Sequence, residues 1–359
     1  MRILFIAPLP PPITGHSLAS EVLFEEIKRN NEVTTINLSK KSFIAGIDSI
    51  GRVKEVLQIL WKVLINVWKA DKIYLTISES IAGNFKDILI YGICFFKLNN
   101  FFIHLHGGSI KKLLFDKNKM IYKINIFFIK RLAGVIVLGE SHVVKFSSFI
   151  DREKIFIVPN FSQDYLFLSD QQVQKKQKLR AQKMNILFLS NMQIEKGYNE
   201  LLTAYIKLDN KFKERIELNF AGQFEFKAEE TLFLEKIKGI KGIKYHGTVE
   251  GELKKELFAR ANVFCLPTSF LEGQPVSILE AYASGCLVLT TLKGGIIDIF
   301  EDEVNGIVVE NSSESIKDAI KLILCNPQKL LEIGLNNRRT AIKKYRTSIY
   351  NESIKKVLF

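Results

Sequence analysis

Val263-Phe264-Cys265-Leu266-Pro267-Thr268-Ser269-Phe270-Leu271-Glu272-Gly273-Gln274-Pro275-Val276-Ser277-Ile278-Leu279-Glu280-Ala281-Tyr282-Ala283-Ser284-Gly285 reads as strand, loop, helix and stop. Val263 to Leu266 is a short apolar run closed by Pro267. Pro275 suits the first turn of a helix, where its missing N–H would have had no partner, and Gly285 ends that helix. The first helical amides therefore point back toward a loop carrying Glu272, while Glu280 sits about one and a half turns inside. Amides with a helix dipole's positive end favour phosphate, and carboxylates accept from vicinal hydroxyls, so the pair suits a nucleotide sugar. The plainer alternative makes Glu272 a helix-end charge and Glu280 part of a solvated face. Ile278, Leu279, Ala281, Tyr282 and Ala283 around Glu280 leave little of this helix suited to water.

Glu272 to Glu280 resembles the E-x7-E motif of retaining glycosyltransferases of the GT-B fold, family 4 or group 1, of the bacterial surface-polysaccharide type. The likeness includes the Glu-Gly-x-Pro opening and the Glu-Ala-x-Ala/Ser-x-Gly close. It implies an α/β architecture of two Rossmann-like domains with parallel sheets facing across a cleft, and a last helix crossing back to the first domain. On that reading Glu280 accepts from ribose hydroxyls and Glu272 from sugar hydroxyls, with Gly273, Gln274, Pro275, Val276 and Ser277 completing the donor-binding segment.

The chain's 359 residues are enough for two domains of ordinary size. The expected boundaries are an acceptor-side domain over 1–168, a polar linker over 169–183, a donor-binding domain over 184–344 and the returning helix over 345–359. With 47% hydrophobic and 25% charged residues the composition is globular. The longest apolar runs fall short of the ~18 residues of a membrane span, and prolines interrupt the N-terminal run too soon for a signal peptide. A cytoplasmic protein is expected. Cys94, Cys265, Cys286 and Cys325 lie in apolar segments with no C-x-x-C pair, which fits buried free thiols and neither disulfides nor a metal site.

The net charge of +13 is uneven. Residues 1–180 hold 26 Lys+Arg against 15 Asp+Glu, and the remainder 25 against 23. An anionic membrane surface is one partner such a basic half suits. Nucleic acid is not expected, since no recognition motif accompanies the charge. From Ile50 to Trp68 a helix carries Val53, Val56, Leu57, Leu60, Leu64 and Val67 at helical spacing. Trp61 and Trp68 stand two turns apart, with Lys54, Lys62 and Lys69 beside them. Packing against the sheet accounts for the apolar stripe, and docking at a membrane interface is the competing reading.

Arg2 to Ala7 is a buried strand, followed by the proline-rich loop 8–16 and a helix over 17–30, the unit that presents helix amides at the carboxyl edge of a parallel sheet. A plain tight turn and a ligand loop are both open for Thr14-Gly15-His16. By resemblance Gly15 approaches the donor diphosphate, and Thr14 and His16 shape the acceptor side. Phe101 to Gly108 reads as a strand ending in histidine and glycines, with His104 and His106 on one face. His106 matches the family's active-site histidine, and His104 is expected to support the strand on the acceptor side. Asn185 to Asn191 starts the second sheet, and Lys196-Gly197 resembles the family's Gly-Arg-x-x-x-x-Lys-Gly element, with Ser190-Asn191 in place of Gly-Arg. The loss of a guanidinium there leaves Lys196 as the cation expected to stabilise the leaving diphosphate. Further on, Asp298 stands at the acidic position of a Gly-Gly-x-x-Glu element.

The resemblance implies hexosyl transfer with retention, from a UDP- or GDP-sugar to a lipid-linked saccharide, in surface polysaccharide (O-antigen or capsule) synthesis. His106, Lys196 and Glu272 act at the reaction centre and no metal or other cofactor is needed. No carboxylate stands out as a nucleophile for double displacement, so front-face displacement assisted by the leaving phosphate is expected. The alternatives are a GT-B sugar-nucleotide epimerase and a non-catalytic sugar-nucleotide-binding subunit.

Overall fold

The computed structural model describes residues 1–39, 49–178 and 183–359, and the chain divides into two compact units. The first comprises Met1–Asn160, Leu271–Gln274 and Ser348–Phe359, and the second Phe161–Phe270 and Pro275–Thr347.

Six parallel strands make the sheet of the first unit: β1 (Arg2–Ala7), β2 (Glu32–Asn37), β3 (Lys72–Thr76), β4 (Phe101–His104), β5 (Gly134–Val137) and β6 (Ile155–Ile157). Their order is β2-β1-β3-β4-β5-β6. Each strand is a short run of β-branched, aromatic and leucine side chains, and β3, β4 and β5 are buried almost throughout, as sheets covered on both faces require. Helices α1 (Gly15–Lys28), α2 (Ser49–Asn66), α3 (Ile81–Ile93) and α4 (Lys119–Ile129) connect them. Thr14 caps α1, accepting from the Ser17 N–H, while the Ser17 hydroxyl accepts from the Thr14 N–H. This reciprocal pair satisfies helix-end donors and fixes where the loop ends. The C-terminal helix Thr347–Leu358 groups from Ser348 onward with this unit. There the Tyr350 hydroxyl donates to the Ala19 carbonyl and the Lys355 ammonium bonds Glu26.

The second unit has a sheet of β7 (Met184–Leu189), β8 (Ile216–Ala221), β9 (Ile243–Tyr245), β10 (Val263–Leu266), β11 (Leu287–Thr290) and β12 (Gly306–Val308), all parallel, ordered β12-β11-β10-β7-β8-β9. Chain order thus reverses between β7 and β10, the doubly wound pattern. The helix Val276–Ala283 is buried on nearly all sides, and Gly285 after it has φ +67°. Its left-handed conformation is the expected stop.

Three expectations need correction. The polar stretch placed as a linker over 169–183 is, in its described part, a helix, Asp170–Gln177, that belongs to the second unit. Ser169 caps it with Gln172 in return, and Gln177 donates to the carbonyls of Asn262 and Gly285. Few apolar residues are needed because amide hydrogen bonds secure its inner face; residues 179–182 lie outside the described ones. Cys325 is exposed, whereas Cys94, Cys265 and Cys286 are buried as expected. The stripe on α2 also divides. Val63 and Val67 pack inward, while Val53, Leu57, Leu64 and both tryptophans face solvent.

Candidate functional site

Open parallel sheets bind ligands beyond the carboxyl ends of their strands where chain order reverses. In the first unit that point lies between β1 and β3, in the second between β7 and β10. The sequence-derived residues collect at these two places, each described within its own unit.

In the first unit the loop after β1 brings His16 to the turn after β4. The His16 and His106 rings stack with centroids 4.4 Å apart, and those of His104 and His106 lie 3.9 Å apart. Beneath them the Tyr74 hydroxyl is 2.7 Å from His104 Nδ1. Among the described residues neither ring nitrogen of His106 has a hydrogen-bond partner, nor does Nε2 of His16 or His104. Burial, followed by the neighbouring charge of Lys86, lowers His16 to about 4. Burial, and then His16, lowers His104 to about 3, while burial, and then the surrounding histidines, holds His106 well below the ordinary imidazole value. At neutral pH the column is therefore uncharged, and each imidazole keeps both a donor and an acceptor nitrogen.

Leu271–Gln274 belongs to this unit. A Cβ at Gly273 would lie 1.8 Å from the His106 carbonyl oxygen, so only glycine permits the approach. Gln274 fixes the segment: its Oε1 accepts the Asn160 N–H at 2.9 Å and its Nε2 donates to the Leu138 carbonyl at 2.7 Å. The Asn160 side chain donates in turn to the Gln274 carbonyl at 2.8 Å. Glu272 is thereby held on a rigid strip and is only 6% exposed. Sequence reasoning missed Tyr74, Asn160 and Glu79. The Glu79 carboxylate accepts the Ser109 N–H at 2.6 Å, which shapes the turn that carries His106; burial raises its pKa against that bond.

In the second unit the loops after β7 and β10 are tied together. The Glu195 carbonyl accepts the Ser269 N–H at 2.7 Å and the Thr268 hydroxyl at 3.1 Å. Lys196 Nζ stands 4.9 Å above the Phe270 ring, while Asn191 is exposed beside the same loop. Glu280 is 1% exposed, and its Oε1 accepts from Lys254 Nζ at 2.6 Å. Burial raises the Glu280 carboxyl and the lysine opposes that rise. Lys254, on the helix Gly251–Arg260, was not singled out by sequence because its partner lies 26 positions away. Pro275 precedes the helix Val276–Ala283 as its cap residue, with Val276 and Ser277 as its first two positions.

Two parallel six-stranded sheets, each doubly wound, are the architecture of the GT-B fold. Residues 169–340, just under half of the chain, match the family model "Glycosyl transferases group 1". Among similar proteins is an alpha-1,4-N-acetyl-D-galactosaminyltransferase of Campylobacter jejuni, whose full name gives a GalNAc- and diNAcBac-bearing PP-undecaprenol. It is 28% identical over 225 residues, 62% of this chain and 58% of that protein, so the match spans less than two thirds of the relative's length. Anabaena HepE, solved with UDP and glucose, superposes with a TM-score of 0.74 at 16% identity, covering 100% of this chain and 99% of that one. WaaG, a glycosyltransferase involved in lipopolysaccharide biosynthesis, gives a TM-score of 0.69 at 15% identity over 99% and 98%. These two likenesses concern the fold.

Proposed function

We propose that this protein transfers a hexosyl group, with retention, from a UDP- or GDP-sugar to a lipid-linked saccharide in the synthesis of a surface polysaccharide. The observation that carries the donor half is the buried Glu280 carboxylate, held by Lys254 in the unit that also presents Lys196 at the carboxyl edge of β7. A buried acceptor suits ribose hydroxyls, and a lysine at a loop-to-helix junction suits a diphosphate. The Campylobacter relative's lipid-diphosphate acceptor supports the acceptor half, and the UDP bound in HepE makes uridine the first base to test.

In this reading charge grows on the diphosphate as the glycosidic bond breaks, and Lys196 with the adjoining amides neutralises it. Glu272 and the neutral His106 hold the sugar hydroxyls. The acceptor hydroxyl attacks the anomeric carbon on the face the diphosphate leaves, and its proton passes to a departing phosphate oxygen. No protein carboxylate is assigned as nucleophile. No metal is assigned a role.

The test is a donor panel with an undecaprenyl-diphosphate saccharide acceptor, with product anomer read by NMR. Retained configuration from one nucleotide sugar supports the proposal, and an inverted product overturns retention. Conversion of donor into an isomer without acceptor would replace it with epimerisation. Glu272→Gln should lower turnover more than nucleotide affinity, whereas Glu280→Ala should weaken nucleotide binding itself.

A further inference from the structure

α2 is apolar on two sides. Its inner side buries Val63 and, in the 3₁₀ turn Val67–Lys69 that follows, Val67. Its outer side exposes Val53, Leu57, Trp61, Leu64 and Trp68, three or four residues apart, which places them along one face. Trp61 and Trp68 are 63% and 65% exposed, which is costly for the two largest side chains in the protein unless something covers them.

The stripe continues onto other elements. Trp68 stacks on the exposed Phe96, their centroids 4.2 Å apart, and neighbouring Phe95 stacks on Phe127 of α4 at 6.3 Å. The Arg131 guanidinium lies 3.9 Å from the Phe127 centroid. Lys97 reaches the carbonyls of Trp68 and Ala70, joining the turn before β3 to the turn before β4. Exposed cations border this surface: Arg52, Lys54, Lys62 and Lys69 along α2, and Lys123, Lys130 and Arg131 along and after α4. Glu55 is the one carboxylate between Arg52 and Lys69, and none lies between Lys117 and Arg131.

We propose that this aromatic and basic face of the first unit seats on an anionic lipid bilayer. Aromatic rings stacked flat on one another, with cations around them, match the interfacial zone, where amphipathic rings sit at headgroup level and lysines and arginines meet anionic lipid. A second copy of the chain would bring the same cations against one another, so charge complementarity favours the bilayer. The inference extends the lipid-linked acceptor reading and rests on it for its purpose, while its observations come from this surface alone.

The two tryptophans are the only ones in the chain, so intrinsic fluorescence reports this face and nothing else. Full-length protein is titrated with vesicles of pure phosphatidylcholine and of phosphatidylcholine with phosphatidylglycerol, with flotation and emission measured together. Expected are binding to the anionic vesicles only, a blue shift, quenching by brominated acyl chains, and release by high salt. Each alanine at Lys54, Lys62 or Lys69 should weaken binding about fivefold. Trp61→Ser with Trp68→Ser should abolish insertion while leaving nucleotide binding intact. Absence of vesicle binding, or binding with no change in emission, overturns the proposal. So does concentration-dependent self-association without vesicles that the double variant removes. Nucleotide-sugar turnover with a water-soluble acceptor is followed in parallel, so failure of the membrane seat is distinguishable from failure of the glycosyltransferase reading.

Discussion

Lys254 Nζ and Glu280 Oε1 are 2.6 Å apart, with the carboxylate buried and the lysine side chain 12% exposed. Removing the lysine leaves a desolvated charge without its partner, and breaking such pairs costs about 3–5 kcal/mol. Lys254→Ala should therefore lower unfolding free energy by about that amount at neutral pH. The loss should shrink on acidification, because Glu280, already raised by burial, then takes a proton more readily. Denaturant titrations at pH 7 and pH 5 measure this, and a small loss at both would show that Glu280 is already protonated at neutral pH. Nucleotide affinity should fall as well, since a protonated or rotated Glu280 no longer accepts from two hydroxyls.

The histidine column makes a pH prediction of defined sign. His16 and His104 titrate at about 4 and about 3 in the folded chain, below the ordinary value of 6.5, because burial disfavours the imidazolium. The unfolded chain therefore binds more protons between those values. Stability from keeping these rings neutral is fully present above 6.5 and is lost as pH falls toward 4 and below. For His16 alone the loss is on the order of 3 kcal/mol. Equilibrium unfolding between pH 7 and 4 should show a downward slope that flattens in a His16→Asn, His104→Gln variant. An unchanged slope would place the protons elsewhere.

Much of this arrangement is legible in the sequence, for identifiable reasons. β1, β4, β7 and β10 are mostly apolar runs, and Glu272, Gly273 and Glu280 stand out through their resemblance to the E-x7-E motif and not through spacing alone. The supporting residues are not legible, because their partners are distant in the chain. Tyr74 meets His104 across neighbouring strands, Asn160 meets Gln274 over 114 positions, and Lys254 sits on a helix whose charges look like those of any solvated helix. The helix Asp170–Gln177 was missed for lack of apolar periodicity, although Ser169 and Gln172 carry the spacing of a capping box. The split stripe on α2 follows from periodicity itself, which marks apolar positions without saying which side of the helix is covered.

Gly197 tests the local geometry around Lys196. It adopts φ +84°, and a Cβ there would lie 2.4 Å from the Pro267 carbonyl oxygen, so both backbone conformation and space exclude a side chain. Gly197→Ala should destabilise the second unit by about 1–3 kcal/mol through strain. It should also lower turnover beyond what the stability loss explains, because the loops after β7 and β10 must separate to admit the methyl group. Comparing it with Gly239→Ala, which has φ +79° and open space around it, isolates the steric part. Equal effects at the two positions would reduce the matter to backbone conformation.

Gln274 offers a test of how the Glu272 strip is held. Its side chain pairs two backbone groups at once, the Asn160 N–H and the Leu138 carbonyl, and is itself 5% exposed. Gln274→Ala leaves both without that partner, and each unsatisfied buried group costs about 1–3 kcal/mol. Gln274→Glu keeps the shape and the acceptor but replaces the amide donor with a carboxylate oxygen facing the Leu138 carbonyl, so it should be at least as damaging at neutral pH. Protonation restores a donor, so the glutamate variant alone should recover stability as pH falls toward 5. If Gln274 positions Glu272, kcat should drop in both variants while nucleotide affinity, assigned to Glu280, stays near wild type. A shared drop in nucleotide affinity would instead mean that the whole segment from Leu271 to the helix Val276–Ala283 moves as one piece.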